Sequence, residues 1–247
     1  MPSETLFLLI PLVFLLAGTI KGTVGIGLPT VSVGLMSQFM PPHSAIALVI
    51  FPMLISNAWQ VYRAKTGLAT FRSYWRLIIC LVICLWITTF FAAQAPGDVL
   101  LVAIGLAIVI FAASSLIGEP PRLKDTHDAP AQIITGVSAG ILGGFTSIWA
   151  PPIVTYLLAR RTAPEDFIRA TGLLIFLGAI PLIIGYWQAG ILDGPAARTS
   201  LVMIIPTLIG FSIGEVLRRR LSGPAFRKAL LWMFLLMGLN LLRRAFF

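Results

Sequence analysis

Charged residues divide the chain into eight uncharged stretches, at 5–20, 22–62, 77–97, 99–118, 129–159, 170–192, 199–214 and 229–242. Most approach the ~20 apolar residues that carry an α-helix across a ~30 Å hydrocarbon core. Two stretches are interrupted by glycine and proline, in "KGTVGIGLP" at 21–29 and "GGFTSIWAPP" at 143–152. The pattern predicts a Gly-broken segment over 5–40, then plain spans at 43–64, 73–95 and 98–118. Beyond a polar stretch at 119–130 it predicts a second broken segment, 131–160, and spans at 166–188, 198–217 and 226–245. Each broken segment reads as helix, breaker, helix, with the half-helices at about 5–20, 30–40, 131–142 and 151–160.

The second half repeats the first. Gly18, Gly22 and Gly25 fall on Gly136, Gly140 and Gly143, and after a five-residue insertion Pro29, Pro41, Ala47 and Gly67 fall on Pro152, Pro164, Ala170 and Gly190. Repeat 1 is 1–118, repeat 2 is 131–247, and 119–130 links them.

Composition fixes the class. Of 247 residues 58% are hydrophobic and only 11% charged, against about 25% charged in soluble domains, so the chain is an all-α integral membrane protein. "MPSETLFLLIPLVFLLAG" has Glu4 where a secretory signal has a basic start, and no cleaved signal is expected. The net charge of +9 comes from basic residues in the short loops between spans. Positive-inside bias accounts for that placement, and no nucleic-acid partner is expected. Cys80 and Cys84 lie one helical turn apart with no His or acid near in sequence, which reads as small core residues rather than a disulfide or metal pair.

Charge also orients the repeats. If the broken segments cross fully, nine basic residues lie inside and eight outside, and the bias vanishes. If they dip in and return, the loops at 63–76, 119–130, 159–169 and 218–228 hold fourteen basic residues on one side. Only Arg198, Arg243 and Arg244 then lie opposite, with Lys21 inside the membrane. Fourteen against three is the asymmetry expected of cytoplasmic loops. The expectation is two inverted repeats in the inner membrane, six spans plus two re-entrant hairpins (eight segments by hydropathy), with both termini outside. The Arg243–Arg244 pair is the discordant feature. Inverted repeats around interrupted helices place a substrate site at the repeat interface.

Lys21 is the one cation in the first broken segment, and no Asp or Glu shares its run. An ionisable residue at membrane depth is costly and marks a site by default. Two readings are open: Lys21 contacts an anion that comes and goes, or it snorkels to the outer headgroups. Half-helix N-termini near Thr30 and Pro151 would aim N–H groups and partial positive charge between them. The candidate anion ligands are Lys21, the backbone at Gly22, Gly25, Gly27, Gly143 and Gly144, and the hydroxyls of Thr23, Thr30, Thr146 and Ser147. Capping of freed backbone groups is the alternative for each hydroxyl. Asn57, Gln60 and Thr171 are amide and hydroxyl groups inside spans; Asn57 is expected to face the interior, and Asn57 and Thr171 join the candidates. Gly18-x-x-x-Gly22 and Gly136-x-x-x-Gly140 also have helix-packing spacing.

Acids fall in loops, apart from Glu215 near a cytoplasmic end beside Arg218, read as a surface ion pair. Isolated His43 and His127 make no metal site, so no metal or cofactor is expected. With no general base at mid-span, an enzyme is not expected either.

At "GTVGIGLPTVSVG" and "GVSAGILGGFTSIWAPP" the chain resembles the TauE/SafE family of membrane proteins, often called sulfite exporters, over nearly its whole length. The resemblance implies two repeats, each opening with a Gly-rich segment that ends in proline, and movement of sulfite or related organosulfur anions across the bacterial inner membrane. The first breaker reads Gly25-Ile26-Gly27-Leu28-Pro29 where the family commonly has three glycines in a row, and Trp149 stands where a smaller residue is usual. The expected function is a permease for a small, sulfur-containing anion, working by alternating access, with an anion channel or a non-transporting scaffold subunit as the alternatives. A homodimer is left open.

Overall fold

The structure is a computed structural model that describes residues 3–221 and 224–246, with side chains placed for 8–218 and 228–246. The side chains of Glu4, from the signal reading, and of Arg219, Arg220 and Arg227, from the count of basic residues, lie outside those described. The elements among the described residues are helical: α1 Ser3–Val24, α2 Leu28–Met36, α3 Pro42–Arg63, α4 Leu68–Ser73, α5 Trp75–Gln94 and α6 Gly97–Ile117. After one 3-10 turn at Asp125–His127 come α7 Asp128–Thr146, α8 Ala150–Ala159, α9 Pro164–Gln188, α10 Gly194–Val202, α11 Ile204–Leu221 and α12 Pro224–Phe246. Among the described residues six helical stretches are long and apolar enough to span a membrane: Pro42–Arg63, Trp75–Gln94, Gly97–Ile117, Pro164–Gln188, Gly194–Arg218 and Lys228–Phe246. The chain is a multi-pass membrane protein.

The breaks are narrower than the glycine pattern predicts. α1 continues through Lys21, Gly22 and Thr23 and unwinds only at Gly25–Gly27, where Gly25 (φ 88°) and Gly27 (φ 104°) take left-handed backbone that glycine adopts without a Cβ clash. Pro29 then enters the first turn of α2, where its missing N–H costs no hydrogen bond. α7 likewise continues through Gly143, Gly144 and Thr146 and breaks at Ser147–Trp149, with Ser147 at φ 58°. The helices persist because their glycines are packing positions. Glycine costs a helix about 1 kcal/mol against alanine, which close backbone approach to a neighbour offsets in a membrane.

α1 lies along α11 and runs parallel to it. A Cβ on Gly18 would collide with the Thr207 carbonyl and one on Gly22 with the Phe211 carbonyl; Gly210 and Gly214 answer by fitting against Leu15 and Thr19. α7 lies on α5 in the same register. Gly136 meets Leu77 and Leu81, and Gly140 meets Leu81, Cys84 and Leu85, as Gly18 and Gly22 meet Thr207, Phe211, Gly214 and Glu215. Cys80 and Cys84, free thiols, stand where α11 has Gly210 and Gly214. α6 and α12 run antiparallel: Gly105 faces Gly238 and Leu242, and Phe111 lies 6.2 Å from Phe234.

Hydrogen bonds gather the loops at one end of the bundle. Leu123 N–H donates to the Ala159 carbonyl (2.9 Å), Gln132 to the Ser73 carbonyl (3.0 Å) and Arg169 to the Ala64 carbonyl (3.2 Å). Asp128, which opens α7, binds Tyr156 (2.7 Å) and Arg160 (2.9 Å) at the close of α8. The α7–α8 hairpin therefore begins and ends at the same end of the bundle. Glu215 pairs with Arg63 (3.7 Å) rather than with Arg218, because α11 brings α3 beside it.

At the opposite end Arg244 donates to the carbonyls of Ser37 and Gln38, and Asn240 donates to the Gln38 side chain. This explains a cation that charge bias alone does not: it closes the negative end of the short helix α2. Arg244→Gln is expected to lower stability by about 1 kcal/mol, the upper range for an exposed cation at a helix C-terminus. Arg243, which bonds only Asn240 among the described residues, serves as the control. Thermal unfolding in detergent reads the difference, and equal midpoints for Arg244→Gln and Arg243→Gln would remove the capping role.

Candidate functional site

The candidates separate into three groups. The first surrounds a cavity of about 410 Å³ at the end of the bundle that carries the basic loops. Thr23, Gly27 and Thr30 from the first break line it, with Ala150 from the start of α8 and Arg218 from α11. Thr23 donates to the Ile20 carbonyl (2.7 Å), a local capping bond. Thr30 is 1% exposed. It lies in the first turn of α2, whose Gly27 cap provides no side-chain bond. The freed N–H groups of that turn therefore lie beside the Thr30 hydroxyl at the wall. Gly25 sits behind this wall, against Ile168.

Arg218 is the member that spacing along the chain did not single out. Its Nε donates to the Gly22 and Thr23 carbonyls, both 3.2 Å, closing the C-terminal end of α1. It also lines a second, neighbouring pocket with Gln60, Arg63, Lys65 and Arg169. The signal was present: Gly210, Gly214 and Arg218 recur every four residues and so share one helix face. The glycines let α1 approach, and the third position reaches its end.

The second group lies between α1, α3 and α9. Lys21, 1% exposed, donates from Nζ to Asn57 Oδ1, and Asn57 Nδ2 donates to the Met53 carbonyl (2.7 Å). One turn on, Gln60 donates to the Ile168 carbonyl (2.9 Å) and approaches Thr171 Oγ1 (3.4 Å), while its own carbonyl oxygen is buried without a partner. Thr171 spends its proton on the Phe167 carbonyl (2.7 Å). The Lys21 ammonium is thus held inside the bundle on an amide, with no carboxylate bonded to it among the described residues. It does not line the cavity, although its neighbours Ile20 and Thr23 do. Gly22 is a helix contact with α11 and presents its carbonyl, not its N–H, to Arg218.

The third group is the second break. Gly143 packs on Trp149 and Gly144 on Thr88, and their N–H groups lie inside α7. Thr146 donates to the Leu142 carbonyl (2.6 Å) and accepts from Ile148 N–H (3.0 Å), so it caps the broken backbone. Ser147 Oγ and Trp149 Nε1 are buried with no partner, beside Tyr186, whose hydroxyl donates to the Gly144 carbonyl (2.7 Å). Trp149 fills the space against Gly178 of α9. The structure therefore brings Thr23, Gly27 and Thr30 together at the cavity, and places Lys21, Asn57 and Thr171 in a separate polar seam. Gly143, Gly144, Thr146 and Ser147 form a plug around a tryptophan. Among the described residues no three His, Cys, Asp or Glu side chains cluster to hold a metal ion.

Residues 10–241 match the family model described as Sulfite exporter TauE/SafE, and the chain belongs to that family. Searches of curated proteins and of solved structures returned no match.

Proposed function

We propose that this TauE/SafE protein is a secondary transporter that moves a small, sulfur-containing anion across the bacterial inner membrane by alternating access between inverted repeats. The observation that carries the reading is the cavity. A chain of mostly apolar helices opens its backbone at two points, and at the first of them the first turn of α2, the Thr30 hydroxyl and the Arg218 guanidinium line one cavity. Unwound backbone at membrane depth is tolerated where it lines a wet cavity, and helix N-termini with a cation are an anion's natural partners.

The repeat reading is supported by the matched registers of α1 on α11 and α7 on α5, by antiparallel α6 and α12, and by the closed ends of the α7–α8 hairpin. An axis in the membrane plane relates such halves. With the basic end cytoplasmic, the cavity is the inward-facing form of the site and the Trp149 plug is its outer closure. Lys21 stands one row behind the wall, on the seam where α3 meets α9, and supplies uncompensated positive charge across α1. A channel is the second reading, and saturation with counterflow separates it from a carrier.

The test is counterflow of labelled sulfite into proteoliposomes preloaded with small anions, comparing the parent with Arg218→Gln. Accumulation driven by one preloaded anion is expected from the parent. A loss of about ten- to a hundredfold is expected from the variant, as befits a hydrogen bond to a charged group worth about 1.5–3 kcal/mol. Exchange by neither preparation, for any anion offered, would sink the transport reading.

A further inference from the structure

Beside the first cavity, at the end of the bundle that carries the basic loops, lies a second pocket of about 370 Å³ between the close of α3, the start of α9 and α11. Arg63, Lys65, Arg169 and Arg218 face Glu165 and Glu215 on its wall. Arg63 pairs with Glu215 (3.7 Å), and Arg169 with Asp166 (3.0 Å) and Glu165 (4.0 Å). The Lys65 ammonium and the terminal nitrogens of Arg218 bond no group among the described residues, since Arg218 is engaged through Nε alone. Two positive charges on the wall are therefore left without an anion. Gln60, 3% exposed, adds an Oε1 with no donor among the described residues. A buried acceptor left unmet is unfavourable. A bare oxyanion would meet the cations and leave Gln60 as it is, so the group that completes this pocket is an anion that also donates a hydrogen bond.

The backbone singles out Lys65. α3 and α9 end alike: Lys65 N–H donates to the Tyr62 carbonyl (3.2 Å) and Thr66 N–H to the Val61 carbonyl (3.1 Å), as Gly190 donates to Trp187 (3.1 Å) and Ile191 to Tyr186 (3.0 Å). Both ends turn through left-handed backbone, with φ 49° at Lys65 and 73° at Gly190. Glycine takes that conformation without a Cβ clash, whereas lysine is held there under strain. Such strain persists where the side chain has a use that glycine cannot serve. Apolar faces flank the rim. Trp59 and Tyr62 are exposed on α3 beside Arg63, whose guanidinium lies 5.9 Å over Trp59, and Ile213 and Val216 are exposed on α11 beside Glu215. Trp and Tyr at the end of a span mark the headgroup level.

We propose that this pocket binds a phosphate ester with a free hydroxyl, presented by the head of an anionic phospholipid. The phosphate lies on Lys65 and Arg218, and the hydroxyl donates to Gln60 Oε1. Basic pockets between spans on the cytoplasmic side take such heads, and the glycerol phosphate of phosphatidylglycerol carries both groups. At roughly 30 Å³ for each water-sized group, the space holds on the order of ten non-hydrogen atoms, the size of that head. A choline head has no hydroxyl and brings its own cation against Lys65. The site is independent of which anion the first cavity carries, and its occupant touches Arg218, the residue that closes α1.

The experiment extracts the full chain from vesicles of equal parts phosphatidylglycerol and phosphatidylcholine and reads the retained lipid by native mass spectrometry. The parent should keep phosphatidylglycerol in clear preference. Lys65→Gly should lower that preference by about tenfold or more, the effect of a lost hydrogen bond to a charged group. Glycine suits the left-handed turn, so this variant should unfold at the parent's temperature in phosphatidylcholine alone. Phosphatidylethanol, which keeps the phosphate and lacks the hydroxyl, should be retained severalfold less than phosphatidylglycerol. Arg72→Gln removes a cation from α4 at the same end, outside the pocket, and controls for surface charge. Equal retention of phosphatidylglycerol and phosphatidylcholine, phosphatidylethanol held as well as phosphatidylglycerol, or an equal loss in Arg72→Gln would each overturn the inference. Soluble glycerol phosphate separates the two sources of this chemistry. Calorimetry in phosphatidylcholine nanodiscs should show no binding of it; binding that Lys65→Gly abolishes, with no phosphatidylglycerol retained, would assign the pocket to a free ester and overturn the lipid as its source.

Discussion

Gly214→Val is expected to destabilise the protein by about 3 kcal/mol or more, the upper end of the range for overpacking a close contact. α1 and α11 touch through backbone, since a Cβ at position 214 would overlap the Thr19 carbonyl and come within 2.8 Å of the Gly22 Cα. Neither atom belongs to a side chain that can swing aside. The helices must separate along their length, which opens Gly18, Gly22 and Gly210 as well and pulls Arg218 off the end of α1. In lipid there is no hydrophobic drive to bring the pair back, because association rests on dispersion contact between close surfaces. Loss of monodisperse protein after extraction and a sharp fall in unfolding temperature are the readouts. Cys84→Ala, at the corresponding position of α5, keeps the Cβ already accommodated beside Gly140 and should cost under 1 kcal/mol. A Gly214→Val protein that melts with the parent would mean that α1 does not lie on α11.

Lys21→Met should leave the protein folded and slow anion exchange by about tenfold, the effect of a buried charge acting through space across α1, at an effective dielectric of about 20, without touching the anion. The stability side has two opposed parts. Removing the ammonium relieves a buried charge, whose desolvation is costly, but it strands Asn57 Oδ1, at about 1–3 kcal/mol for an unmet buried acceptor. The pair can be separated by a second change. Lys21→Met with Asn57→Leu removes both polar partners and should recover the unfolding temperature lost by Lys21→Met alone, while exchange stays low. If the double variant recovers exchange along with stability, Lys21 is a structural partner of Asn57 and contributes no charge to transport. Lys21→Arg adds a further arm. The guanidinium is larger and planar, and Asn57 offers one oxygen in a closed seam, so charge is kept and geometry lost.

The glycine pattern shows how one signal carried two meanings. Gly25 and Gly27 take backbone that other residues adopt only under strain, and the chain breaks there. Gly18, Gly22, Gly143 and Gly144 stand in similar company along the sequence but remain helical, because each meets a neighbour that leaves no room for a Cβ. Spacing identifies both kinds as special and does not sort them. Thr146 and Thr23 turned out to cap local backbone, whereas Thr30, indistinguishable from them in sequence, lines the cavity from the first turn of α2.

What the sequence determined by itself was the solvent and the segmentation. Desolvating a charge is so costly that charged residues withdraw to the ends of spans. The uncharged runs therefore give a multi-pass all-helical protein with six long apolar helices, and the glycines and prolines that interrupt two further runs locate the breaks to within a turn. The tertiary structure decided azimuth and partnership: that Lys21 turns to Asn57, 36 residues on, and not to the cavity its neighbours line; that Arg218 reaches across to the end of α1; that Arg244 closes α2. A helical period fixes which residues share a face, but which neighbour that face meets depends on contacts between segments far apart in the chain, and only folding brings those together.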